Sequence, residues 1–148
     1  MGKNSFAKGY RDLIVYQRAR AVARHVFRVT KSFPREERYS LIDQGRRSSR
    51  SVGAQIAEAW AKRRYPNHFI SKLSDADGEQ SETQHWIDTS VDCEYMKGEY
   101  AEQLNGELQE IGRMLQRMMD RAVDFKGTKY SSVREEVDIY GSIEEFFA

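Results

Sequence analysis

One recurrence commits this chain to helix. Val15, Ala19, Val22, Val26, Val29 and Phe33 follow one another at steps of four and three, the spacing that holds side chains on a single stripe of an α-helix. The spacing returns through Ile42, Gly45, Ser49, Val52, Ile56 and Ala59, then through Phe69, Leu73, Ala76, Gln80, Gln84, Ile87 and Val91, and again through Tyr100, Leu104, Leu108, Ile111, Leu115, Met118 and Ala122. Breakers are scarce, with prolines only at positions 34 and 66. Four amphipathic helices with short connections predict an all-α fold, an antiparallel four-helix bundle running up-down-up-down, with a C-terminal extension. A loose leader over 1–10, a bundle over 11–122 and an acidic tail over 123–148 follow; in the tail Val133, Val137, Tyr140 and Phe147 stand near helical spacing.

Local signals place the boundaries. The first helix is expected to open near "YRDL" with Asp12 as N-cap and to run toward Phe33. Ser32 near the cap and Pro34 in the first turn are expected to start the second. Pro66 is expected to end that helix and Asn67 to cap the third. A break around "CEYMKGE" precedes the fourth. Gln80 and Gln84 sit in a core stripe and need partners, for which the hydroxyls of Ser48, Ser49 and Ser51 are candidates.

No run approaches the ~18 apolar residues of a membrane span, and "MGKNSFAKGY" offers neither an apolar signal region nor the Ser or Thr of a myristoylation motif. The reading is a soluble cytoplasmic protein without membrane contact. Cys93 stands alone, which fits a reducing compartment and a half-buried packing role.

Charge is divided sharply along the chain. Residues 1–65 hold 16 Lys and Arg against 5 Asp and Glu, a balance of +11, while residues 66–148 hold 8 against 18, a balance of −10. Such a division suits a polyanionic partner, self-association between unlike faces, or both. On the first helix Arg20, Arg24, Arg28 and Lys31 fall opposite the apolar stripe, and Tyr16, Ala23 and Phe27 form a second apolar flank suited to a neighbouring subunit. In "QGRRSSRSVGAQIAEAWAKRRY" six basic residues meet one acid. There Arg46, Arg50, Gly53, Ala57 and Arg64 share a helical face, so arginines flank a bare strip that lets a partner approach closely. Arg46, Arg47, Arg50, Lys62, Arg63 and Arg64 are the candidate nucleic-acid contacts, each able to neutralise a phosphate. Tyr16, Ala23, Phe27, Gly53 and Ala57 are the candidate oligomer contacts. The competing reading has the same arginines meeting the acids of the third or fourth helix.

No catalytic constellation emerges. Glu82 and His85 stand at the i, i+3 spacing of a di-iron half-site, but neither His25 nor His68 supplies a second such pair. "DADGEQ" has its glycine at the wrong place for a calcium loop. Glu58 reads as half of an ion pair with an arginine, and Trp60 and Trp86 as packing residues. No catalytic residue, metal or cofactor is expected.

The segments "YRDLIVYQRARAV", "FPREERYSLIDQGRRSSRSVGAQIAEA", "FISKLSDADGE" and "EIGRML" resemble, in that order, the bacterial four-helix-bundle proteins first noticed as reading frames inside 23S rRNA intervening sequences. The resemblance covers roughly residues 10–120. It implies a protomer that assembles into a ring, typically a pentamer. The group is also similar to the accessory variability determinant of diversity-generating retroelements, a basic ring that binds nucleic acid and a reverse transcriptase. Sequence and resemblance together lead to a non-enzymatic homo-oligomeric accessory protein binding RNA or DNA, with a nucleic-acid enzyme such as a reverse transcriptase as a further partner. A protein-interaction scaffold without nucleic acid is the first alternative and a metal-carboxylate bundle enzyme the second.

Overall fold

The computed structural model describes residues 7–126. A 3₁₀ turn at Tyr10–Asp12 leads into α1 (Ile14–Thr30); a second at Arg35–Glu37 precedes α2 (Leu41–Ala61), and α3 (Pro66–Asp92), α4 (Gly98–Asp120) and the single turn α5 (Ala122–Phe125) complete the chain. Among the described residues there is no strand. Each long helix packs on the next and α4 returns against α1, closing the four-helix bundle. The stripes read from the sequence are its core, with Val15, Ile56, Phe69, Leu73, Leu104, Leu108, Ile111 and Leu115 almost fully buried.

The small residues of α2 set how closely its neighbours approach. A Cβ on Gly45 would meet Val26 of α1 at 3.8 Å and Trp86 of α3 at 4.0 Å, and one on Gly53 would meet the Tyr16 ring at 3.5 Å. Ser48 faces α3, its hydroxyl 2.9 Å from that of Thr83. The glutamines of α3 are satisfied elsewhere than expected. Gln80 donates to Asp77 at 2.9 Å and accepts from Gln84 at 2.7 Å, while Gln84 accepts from Gln109 of α4 at 3.3 Å. Gly112 makes room for this amide chain, since a Cβ there would stand 2.9 Å from Gln80 Nε2.

Helix boundaries depart from the sequence reading for identifiable reasons. Asp12 does not cap α1; its carboxylate accepts from the Lys8 amide at 2.8 Å, tying the entering turn, and Leu13 holds the N-cap position. Ser32 closes α1 by donating to the Val29 carbonyl at 2.8 Å, and α2 begins only at Leu41, whose amide donates to the Glu37 carboxylate at 3.2 Å. Pro66 opens α3 instead of ending α2, which stops at Ala61, and Asn67 lies inside the helix. Its fixed φ and missing N–H suit that first position. The expected break before α4 is present, with Glu94 at φ 62° in its turn. Cys93, expected half-buried, is exposed beside it.

The core also exceeds the expected bundle limits. Ala7 is buried in it. At the other end Phe125 stacks against Phe69 with ring centroids 5.0 Å apart and meets Trp60 edge-on at 6.3 Å. Packing thus extends three residues into the stretch read as tail. Val133, Val137, Tyr140 and Phe147 lie outside the described residues.

Candidate nucleic-acid interface

Arg46, Arg47 and Arg50 stand on the first half of α2 but have different surroundings. Arg46 reaches back across the bundle to the end of α1. Its Nε donates to Thr30 Oγ1 at 2.9 Å and its Nη2 to the Phe27 carbonyl at 3.3 Å, where the last carbonyls of a helix welcome a cation. That anchor sets the guanidinium 4.7 Å above the Phe27 ring; Lys31 Nζ lies 4.7 Å and the Arg50 guanidinium 5.6 Å from the same centroid. The quadrupole of one aromatic ring thus collects three cations. Arg20, Arg24 and Arg28 are exposed on the same helix as Phe27, and Arg20 lies 5.9 Å over the Tyr16 ring. Among the described residues no carboxylate stands within ion-pairing distance of these six cations.

Arg47, one residue and about 100° further round the helix, turns to α3. It pairs with Glu82 and, at 3.5 Å, with Glu79. Partial burial works against its charge, yet the two glutamates outweigh that and raise its pKa. Its charge is therefore largely answered within the chain.

The remaining three candidates occupy another place. Lys62, Arg63 and Arg64 follow the end of α2, about 18 Å of helix rise beyond Arg50. Arg63 donates to the Trp60 carbonyl at 2.9 Å and stacks 4.4 Å over its indole. Arg64, expected on the face of Arg46 and Arg50, lies instead in the turn after the helix. The six residues read as one set are two clusters, with Arg47 paired between α2 and α3.

Tyr16, Ala23, Phe27, Gly53 and Ala57 do come together. They line a groove of about 430 Å³ between α1 and α2, bordered by Arg20, Arg24 and Arg50. A second concavity of about 620 Å³ adjoins it across α2 and is lined by Arg38, Tyr39, Asp43, Arg46, Arg47 and Arg50. Arg50 belongs to both.

The most deeply buried charges lie outside the residues expected from the sequence to carry function. Arg18 and Glu107 are both fully inaccessible and pair at 3.2 Å between α1 and α4. The signal was available: Arg18 stands three residues after Val15 and four before Val22, and Glu107 three after Leu104 and four before Ile111, each at core spacing. Burial pushes the Glu107 carboxyl up to about 7; Arg18 opposes the shift and nearby Glu110 adds to it. Glu110, nearly buried itself, accepts from Arg113 at 2.8 Å and Arg117 at 3.3 Å.

The remaining acids are placed more simply. Glu82 accepts from Arg47 and from Trp86 Nε1, and His85 is exposed with its ring edge-on to Trp86, so neither projects into the core as the di-iron spacing would require. No three metal-binding side chains converge among the described residues. Glu58 pairs with Lys72 at 3.0 Å, a lysine of α3 and not the expected arginine.

A closed bundle with a cationic α1–α2 side defines a class of helical protein. The sequence pattern of the 23S rRNA-intervening sequence protein family matches residues 11–117, and the chain belongs to that family. It is similar to a protein of unknown function from the S23 ribosomal protein family of Bacteroides thetaiotaomicron VPI-5482, known from a crystal structure. The two share 28% identity over 72% of this chain and 96% of that one, with a TM-score of 0.65. No curated protein matches the chain. No helix among the described residues is long and apolar enough to cross a membrane.

Proposed function

We propose that this protein is a cytoplasmic, non-enzymatic accessory protein that binds RNA or DNA as a homo-oligomer, through the cations of α1 and the first half of α2. The observation that carries the reading is the gathering of Lys31, Arg46 and Arg50 on Phe27 with Arg20, Arg24 and Arg28 alongside. Like charges held together, with no carboxylate at pairing distance among the described residues, suit a phosphate backbone, whose binding releases counterions. The binding set differs from the six residues expected: Arg20, Arg24, Arg28 and Lys31 join, Arg47 and Arg63 recede. The family's rRNA-linked name accords with a nucleic-acid partner, and its resemblance to pentameric rings supports the oligomer. The scaffold alternative needs acids that answer the basic face across subunits, whereas Glu79 and Glu82 answer Arg47 within one chain.

Anisotropy of labelled RNA and DNA oligonucleotides, titrated with salt, tests this. Arg28→Glu with Lys31→Glu should weaken binding by more than about tenfold at low salt and lower the slope of log K against log salt by about 1.4 on single strands and 1.8 on duplex. Helix content and mass should stay as in the parent. A parent that binds neither nucleic acid, or binds independently of salt, would overturn the function; a monomeric mass at micromolar concentration would overturn the oligomer.

A further inference from the structure

The α1–α2 groove has an apolar floor and a basic rim, which ask for a ligand both aromatic and acidic. Its floor is Tyr16, Ala23, Gly53 and Ala57, and Arg20, Arg24 and Arg50 stand along its border. Small residues alone would bring a partner close without selecting it. Here the rim adds the selection, because an apolar segment without acids would bury arginines against nothing that answers their charge.

The chain carries a segment of that chemistry. Residues 135–148 read "EEVDIYGSIEEFFA", five acids without a base, interleaved with Ile139, Tyr140, Ile143, Phe146 and Phe147. Its starting point is favourable. Phe125, near the end of the described chain, packs on Trp60, and Trp60 lies about one turn beyond Ala57 on α2, a residue that lines the groove. The 22 residues after Lys126 span up to about 70 Å extended or about 33 Å as helix. The strip from Ala57 to Ser49 needs only about 12 Å.

We propose that the chain's own residues 135–148 seat in the groove between α1 and α2, their aromatic side chains on its floor and their carboxylates on Arg20, Arg24 and Arg50. Two consequences follow. The five residues expected to meet a neighbouring subunit meet this segment instead. Because Arg50 also belongs to the cation cluster on Phe27, the seated segment competes with nucleic acid, so the inference rests on the function proposed above for its regulatory half and stands without it for the docking itself.

The test uses the full chain with a benzophenone side chain introduced at Ala54, an exposed residue lining the groove. On irradiation it should capture residues 135–148, and in a mixture of isotopically heavy and light protein the linked peptides should be all heavy or all light. Capture of helix residues from a second copy, mixed heavy–light pairs, or no capture of 135–148 would overturn the docking. In the same chain without the probe, Glu144→Gln with Glu145→Gln should tighten oligonucleotide binding about fivefold, as release of a competitor that holds most of the population requires. Capture without that gain overturns the competition; a parent that binds no oligonucleotide while capture succeeds overturns the nucleic-acid reading and leaves the docking standing.

Discussion

Arg18 and the arginines that follow it on α1 differ only in which side of one helix they occupy. Arg18 is sealed inside the bundle against Glu107, whereas Arg20, Arg24 and Arg28 are exposed and have no carboxylate at pairing distance among the described residues. A buried guanidinium has lost its water and depends on the protein groups around it to answer its charge. An exposed one keeps its water and spends little on folding. Composition counts these arginines as one basic helix; burial divides them into one that serves the fold and several that serve the surface.

Removal of the inner arginine should have the largest effect. Arg18→Ala should cost about 2–5 kcal/mol in urea unfolding, since it empties the space of a large, fully buried side chain and takes away the hydrogen bond to Glu107. Arg18→Met with Glu107→Leu should recover most of that loss. A single variant as stable as the parent would place Arg18 with its exposed neighbours.

The buried pair also responds to pH, as the exposed arginines do not. Folded Glu107 keeps its proton up to about pH 7, while its ordinary value is 4.5, so between those values the native state binds more protons than the unfolded one. Its contribution is therefore fully present below about pH 4.5 and is lost as pH rises through about 7, a change of a few kcal/mol at most. Glu107→Gln should remove this decline from the urea midpoint measured between pH 4.5 and 7.5. Parallel pH profiles for parent and variant would contradict the assignment.

The neighbours Arg46 and Arg47 repeat the contrast at smaller scale. Arg46→Ala releases the end of α1 and should cost about 1 kcal/mol. Arg47→Ala gives up a half-exposed pair with Glu79 and Glu82 and should change stability by no more than about 0.5 kcal/mol. Thermal unfolding of both variants reads the order directly, and a larger loss for Arg47 would reverse it.

The bundle was legible because its stripes repeat at helical spacing, and every residue of the α2 stripe is buried. Helix boundaries were less so. The residues that close them, Glu37 for α2 and Ser32 for the end of α1, act through backbone geometry that the order of residue types leaves open. The charge of Arg18 points to the surface, although its position between Val15 and Val22 marks it as internal. The basic site was half legible. Periodicity placed Tyr16, Ala23 and Phe27 together on α1, and Gly53 with Ala57 on α2, but it carries no information on where a long guanidinium ends. Arg46 bends to α1 and Arg47 to α3, a divergence decided by the carbonyl of Phe27 and the carboxylates of α3.

The three cations on Phe27 also fix how the fold should respond to its solvent. Packing holds like charges together there, so counterions relieve repulsion in the native state more than in the unfolded chain, where the same charges are dispersed. Multivalent anions such as sulfate or polyphosphate become native-state ligands in this sense, and by mass action raise the melting temperature above that in chloride of equal ionic strength. The bundle would thus report the occupancy of its surface as heat resistance.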